Sequence, residues 1–120
     1  MALGENGSKT KNNLISGVSV KVKKRTENEA LIFVTTQVVS NMAALLYTAI
    51  LDKIGKLNAS DEIEIPKSGE YTQVFTLSKP KQGTPETPYL YKVVTVLKDT
   101  IKGEKCGDDI LDDLETEFKI

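Results

Sequence analysis

The sequence contains no histidine and no tryptophan, and its one cysteine is Cys106. Histidine is the commonest acid–base residue near neutral pH, so its absence removes every His-dependent triad and most catalytic metal sites. A single cysteine forms no disulfide within the chain and has no histidine with which to share a zinc ion. These absences predict a protein that is not an enzyme, carries no cofactor or metal, and works in a reducing, cytoplasmic setting.

Phosphate loops are also missing, because the eight glycines are scattered and form neither the dinucleotide nor the Walker spacing. The acids in residues 61–64 alternate along a predicted strand instead of converging, which favours solvated surface charge over a metal site. At 120 residues, the chain has room for one domain. We predict a flexible arm at residues 1–13, a single globular domain at 14–103 and an acidic tail at 104–120.

Alternating apolar residues predict the first strands. Val18, Val20 and Val22 alternate with serine and lysine, and this period of two is typical of a half-buried strand. We expect residues 18–24 to pair with a second strand at 30–36. A hairpin is predicted from 62–65 and 71–77. Residues 89–97 are rich in β-forming residues, although 89–101 also contains a helical stripe.

The uncharged block of 22 residues from Ala30 to Leu51 has two interpretations. Thr26 and Glu29 match a capping box, so one helix could span 27–57, at a length of about 46 Å. The β-branched residues at 32–39 favour a split instead, with a strand followed by a helix at 38–57. Polar residues at 35–41 argue against a membrane span. We therefore predict an α+β fold, a small mostly antiparallel sheet or partly open barrel of about five strands with one main helix.

A basic cluster accompanies the first strand and its turn: Lys21, Lys23, Lys24 and Arg25. Such a row could follow a phosphate backbone. The alternative is an edge strand that lysines protect from pairing with other chains. Tyr71, Tyr89 and Tyr91 could stack bases beside these cations, and the alternative places the aromatic faces, above all that of Phe75, in the core.

The final segment changes the charge balance of the whole chain. Residues 1–107 hold 15 lysines and arginines against 11 acids, whereas residues 108–120 hold six acids and one lysine. The acidic run from Asp108 to Phe118 resembles the flexible tails of bacterial and phage single-strand DNA-binding proteins, which end in an aromatic residue and dock replication partners. Here Lys119 and Ile120 follow the phenylalanine. The resemblance implies partner binding through one set of residues, namely Asp112, Asp113, Leu114 and Phe118. The spacing of the apolar residues equally suits a short amphipathic helix that packs on the body or on another subunit.

Together these patterns predict a non-enzymatic nucleic-acid-binding protein, single-strand-preferring, homo-oligomeric and of viral or phage type. Its acidic tail would compete for the basic face or recruit protein partners. The alternative is a structural, assembly or adaptor protein, such as a small virion component, that self-associates through its apolar helix.

Overall fold

A computed structural model of the chain describes residues 13–81, 83–99 and 110–120. This part of the chain contains seven β-strands and no helix. The strands are β1 Leu14–Arg25, β2 Glu29–Val39, β3 Ala44–Leu51, β4 Leu57–Ile65, β5 Gly69–Ser78, β6 Leu90–Asp99 and β7 Ile110–Lys119.

The strands form two antiparallel sheets, one in the order β1-β2-β5 and the other in the order β4-β3-β6-β7. Their apolar faces pack against each other, which makes a seven-stranded sandwich of the immunoglobulin type. In the constant-type arrangement the fourth strand lies beside the fifth. Here β4 pairs with β3 instead, so β5 is left at an edge of the three-stranded sheet.

Side chains alternate between the core and the surface along the central strands. On β2 the buried residues are Ala30, Ile32, Val34, Thr36 and Val38. The core consists of two apolar clusters, one around Ile32 and Val93 and the other around Leu46 and Leu97. A layer of four buried polar residues lies between the clusters: Thr36, Thr48, Gln73 and Thr95.

Gln73 links this polar layer to the sheet edge. The Thr48 hydroxyl donates to Gln73 Oε1 at 2.6 Å, and Gln73 Nε2 donates to both the backbone carbonyl and the carboxylate of Asp61, at 3.2 Å each. Burying an amide is costly unless its polar atoms find partners. The network therefore fixes how β5 of one sheet lies against β4 of the other.

The predicted α+β fold with one main helix is wrong, because the described part of the chain is all-β. Residues 38–57, predicted as a helix, contain the end of β2, the whole of β3, a turn and the start of β4, so a single helix at 27–57 is also wrong. β3 has apolar residues on both faces, and the side chains on its outer face are at least half-buried. That pattern hides the period of two. The expected pairing of 18–24 with 30–36 is confirmed, with Val20 opposite Val34.

The predicted hairpin of 62–65 with 71–77 is also wrong. Both segments are strands, but β4 and β5 belong to different sheets, and the chain crosses between them at 66–68. The strand interpretation of residues 89–97 is confirmed by β6. Residues 110–119, expected in a flexible tail or a short helix, form β7 and pair with β6.

The predicted arm lies almost wholly outside the described residues, as do Cys106 and Asp108. The domain limits stay predictions. Within residues 13–81, 83–99 and 110–120, no helix has the length and apolar character needed to cross a membrane.

Candidate functional site

One end of the sandwich collects most of the aromatic residues that the sequence singles out. We call it the tyrosine end; it consists of the turns 26–28 and 52–56, the described residues of the loop 79–89 (79–81 and 83–89) and the carboxyl end of β7. Two hydrogen bonds hold these segments together. The Lys79 N–H donates to the Asn28 carbonyl at 2.7 Å, and the side-chain Nη1 of Arg25, at the end of β1, donates to the Ile120 carbonyl at 3.3 Å.

Tyr91 is the anchor of this end. It begins the inward face of β6, is 2% exposed, and its hydroxyl accepts a hydrogen bond from Lys81 N–H at 2.9 Å. A buried tyrosine near the start of the sixth strand, bonded to backbone upstream, is the tyrosine corner of immunoglobulin-type sandwiches. Its ring stacks on Phe118 with centroids 5.6 Å apart. Tyr91 therefore ties the loop 79–89 and β7 to the core.

Tyr89 lies beside Tyr91 and is more accessible. Its hydroxyl accepts from Lys53 N–H at 3.3 Å, and the two ring centroids are 5.2 Å apart. The ammonium groups of Lys53 and Lys81 lie 5.8 and 5.7 Å from the Tyr89 ring centroid, within cation–π range. A shallow pocket lined by Pro85, Pro88, Tyr89 and Ile120 opens next to this group.

Asp52 organises the neighbouring turn. Its carboxylate accepts from Lys56 N–H at 2.8 Å and from Ile54 N–H at 3.1 Å. The Lys56 bond, with smaller contributions from Asn58, Ile54 and Lys81, lowers the pKa of Asp52 below 3.8. The turn needs Gly55 at a positive φ of 87°, which glycine adopts without steric cost. Asp52 thus holds Lys53 in place beside Tyr89.

The predicted phosphate-binding residues are elsewhere. Lys21, Lys23 and Lys24 are exposed along β1, an edge strand, while Arg25 reaches the tyrosine end. A broad groove on the outer face of the three-stranded sheet includes Lys21 and Lys23. The ammonium of Lys23 lies 5.4 Å from the centroid of Phe33. The alternative interpretation, an edge strand carrying lysines, matches this placement.

The predicted base-stacking residues divide between the two ends. Tyr71 lies at the opposite end from Tyr89 and Tyr91, where its hydroxyl donates to the Lys67 carbonyl at 2.7 Å. Phe75 is buried in the core, as its alternative interpretation expected. The structure therefore brings together Tyr89, Tyr91 and Arg25 but neither Tyr71 nor the three lysines.

The predicted partner-binding residues all lie on β7. Asp112 Oδ2 accepts from Ile15 N–H at 2.8 Å, Asp113 is opposite Val96, and Leu114 is opposite Thr95 and partly exposed. Phe118 packs on Tyr91. These acids are parts of a strand, so the segment is built into the sandwich.

Sequence reasoning missed the corner role of Tyr91, the Asp52 turn and the buried amide of Gln73. A signal for the first was present, because Tyr91 follows a proline-rich loop and starts an alternating run. The described residues include no group of three or more histidines, cysteines or acids able to hold a metal ion. Two of the acids on the outer face of the larger sheet pair with lysines, Glu62 with Lys98 at 2.7 Å and Glu115 with Lys92 at 3.4 Å.

Comparison with known proteins adds a structural likeness. No protein-family model and no curated protein sequence matches the chain. Among solved structures, it resembles a Bifidobacterium dentium beta-glucuronidase complexed with coumarin-3-O-glucuronide, with a TM-score of 0.79, 19% identity, and coverage of 91% of this chain and 18% of that one. A glycosyl hydrolase family 2 member from Bacteroides cellulosilyticus gives a TM-score of 0.79, 20% identity, and coverage of 91% and 15%. A Bacteroides uniformis beta-glucuronidase gives 0.73, 20%, and 90% and 14%.

The chain spans less than a fifth of the length of these structures. At such identities the likeness establishes the shared fold. The hypothesis of a viral or phage single-strand-binding protein is corrected, because the similar structures are glycosyl hydrolases. The same finding corrects the prediction of a non-enzyme. The alternative of an assembly protein joined through an apolar helix is also wrong, since residues 38–57 contain no helix. The assignment of individual lysines and tyrosines as contact residues stays a prediction.

Proposed function

We propose that this chain is a β-sandwich domain of a carbohydrate-active enzyme related to the family 2 glycosyl hydrolases. The observation that carries the proposal is the match of 91% of the chain, at a TM-score of 0.79, to 18% of a beta-glucuronidase chain. More than four-fifths of that enzyme is outside the matching region. In the proposal, the sandwich supports the enzyme's other domains, and the reaction centre belongs to them.

The chemistry of the described residues is consistent with a domain that holds other domains in place and does not itself contain the reaction centre. Glycoside hydrolysis uses two carboxyl groups that flank the scissile bond, about 5–10 Å apart. In the described part of the chain, Glu62 and Glu115 are instead each paired with a lysine on an open sheet face. Meanwhile Tyr91 and Asp52 brace loops. Such bracing preserves a fixed shape, which a spacer between domains requires.

The tyrosine end offers a surface that suits packing against a neighbouring domain. Ile54, Leu57 and Leu90 are all exposed there or close by, and the Pro85–Pro88 pocket lies beside them. Interfaces between domains of one chain are typically mixed surfaces of apolar and charged residues. The combination of exposed aliphatic side chains with Lys53 and Lys81 fits that description.

The test is to raise an antibody against the 120-residue chain and probe lysates of the cells that produce the protein. We expect a polypeptide several times the 13.2 kDa of this chain that co-purifies with hydrolysis of nitrophenyl β-glucuronide or β-galactoside. The isolated 120-residue chain, assayed beside it, should lack that hydrolysis.

The same antibody is used to precipitate the protein from the lysate. A band at 13.2 kDa, with no glycosidase activity in this immunoprecipitate, would contradict the proposal. Depletion with a pre-immune serum is the matched control, since it should leave the hydrolysis in the supernatant. The predicted cytoplasmic location and protein partners stay predictions.

A further inference from the structure

The two described sheets have four edge strands, and these differ in how well they resist pairing with another chain. The edges are β1 and β5 in the smaller sheet and β4 and β7 in the larger. An edge strand exposes unpaired backbone N–H and C=O groups, and proteins block such edges with charges, prolines, bulges or covering segments.

Three of the four edges carry such protection. β1 has two irregularities in its pairing with β2 and a run of four cations at 21–25. β4 is interrupted where it pairs with Leu51 and contains Asp61, Glu62 and Glu64. β7 is interrupted opposite Leu97 and Lys98 and carries four acids.

The β5 edge lacks these devices. Its ten residues pair with β2 in one uninterrupted register, from Gly69 opposite Val38 to Ser78 opposite Glu29. The segment contains neither lysine nor proline, and its only charge is Glu70, which accepts a hydrogen bond from Gln37 Nε2 at 3.0 Å. Its outward side chains at 72, 74 and 76 are β-branched, and Val74 is 52% exposed. Long, flat and nearly neutral edges of this kind are suited to strand addition.

We propose that β5 is a dimerisation edge that pairs antiparallel with β5 of a second copy of this chain. A twofold axis at Val74 places Val74 opposite its own symmetry mate, Thr72 opposite Thr76, and Glu70 opposite Ser78. No like charges face each other in this register. The same operation on β7 would bring its acids against one another, which is unfavourable. The charges of two β5 edges are therefore compatible across the twofold axis, whereas those of two β7 edges repel each other.

The proposed pairing also continues an apolar row that is already present. Val74 is the register partner of Phe33 on β2. Adding the second copy would extend the row to Phe33, Val74 and the two equivalent residues of the other chain, across one continuous six-stranded sheet. Cross-strand pairs of β-branched and aromatic residues are favourable. Because both copies use the same edge, the association closes at a dimer.

The first test is sedimentation equilibrium of the 120-residue chain and of a Val74→Lys variant. Two lysines would then face each other across the twofold axis, so we expect the dimer dissociation constant to rise at least about tenfold. Val39→Lys is the matched control, since Val39 is a 46% exposed valine on β2 of the same sheet. It should leave the dimer unchanged. Thermal unfolding of both variants confirms that each is folded.

The second test measures proximity. In a Cys106→Ser background, Val74→Cys should form a disulfide-linked dimer on mild oxidation, whereas Val39→Cys should form no disulfide-linked dimer. A wild-type chain that is monomeric throughout the concentration series would overturn the proposal, as would a dimer that Val74→Lys leaves intact. Neither readout involves glycoside hydrolysis, so failure here is separate from failure of the proposed function.

Discussion

Tyr91→Phe removes one oxygen from the tyrosine end and leaves the ring contacts in place. In the wild type, that oxygen accepts from Lys81 N–H at 2.9 Å, and the residue is 2% exposed. A typical hydrogen bond contributes about 0.5–1.5 kcal/mol, and a buried donor left without a partner costs about 1–3 kcal/mol. Because Lys81 itself is exposed, water can partly replace the lost bond. We therefore expect a loss of about 1.5 kcal/mol in the free energy of unfolding.

Urea denaturation followed by circular dichroism measures this loss directly, and thermal unfolding should show a decrease in Tm of roughly 6 °C for a chain of this length. Tyr47→Phe makes the same chemical change on the half-buried outer face of β3. It should cost less than about 0.5 kcal/mol. If Tyr91→Phe is no more destabilising than Tyr47→Phe, the corner does not anchor the loop and the reasoning fails.

Three further changes test other parts of the structure. Gln73→Leu removes the partner of the Thr48 hydroxyl and the bond to Asp61, so we expect a loss of about 2–3 kcal/mol in urea denaturation; a neutral effect would show that the polar layer is dispensable. Phe118→Ala removes the ring that stacks on Tyr91 and should cost about 2 kcal/mol by the same assay, whereas no loss would mean that β7 is not packed there. The lowered pKa of Asp52 means that the unfolded chain binds its proton more readily, so its stabilising contribution is present above pH 3.8 and is lost as the pH falls through the lower pKa of the folded state. Asp52→Ala should therefore be less stable than the wild type at pH 6, and this difference should become smaller as the pH falls towards 2, whereas an equal difference at both pH values would refute this assignment.

The sequence predicts β1, β2 and β6 because each has one apolar and one polar or mixed face. The helix at 38–57 is wrong because Leu45 and Tyr47 on the outer face of β3 are as apolar as its buried residues. Local propensity could not reveal this, since alanine and leucine favour helices. Packing between two sheets decided the outcome, and it depends on residues distant in the chain.

The Thr26 signal shows how one hydrogen-bond pattern serves two structures. Its hydroxyl does accept from backbone N–H groups, those of Asn28 at 3.2 Å and Glu29 at 3.0 Å. However, Thr26 N–H also donates to the Glu29 carbonyl at 2.8 Å, which closes the turn between β1 and β2. The Thr26 motif therefore predicts a local bond from backbone N–H groups to the hydroxyl, which the structure has, and the start of a helix, which the described residues lack.

The prediction of a flexible acidic tail at the end of the chain is wrong for a related reason. High charge suggested a solvated tail, yet on β7 the acids Glu115 and Glu117 lie opposite Val94 and Lys92 on the outer face, while Phe118 packs inward. Alternation of charge with apolar residues is what an edge strand requires. The sequence indicated Tyr89 and Tyr91 as members of the candidate site. Their partners at the tyrosine end could not be predicted, because they come from four segments that are distant from one another in the chain.

The proposed sandwich depends most directly on residues 110–119 forming the fourth strand of the larger sheet. Nuclear Overhauser effects between backbone protons of β6 and β7 test this. The antiparallel register of β6 and β7 predicts contacts between Val93 and Thr116 and between Thr95 and Leu114. Helical contacts within 110–119, or random-coil shifts without any contact to β6, would contradict it.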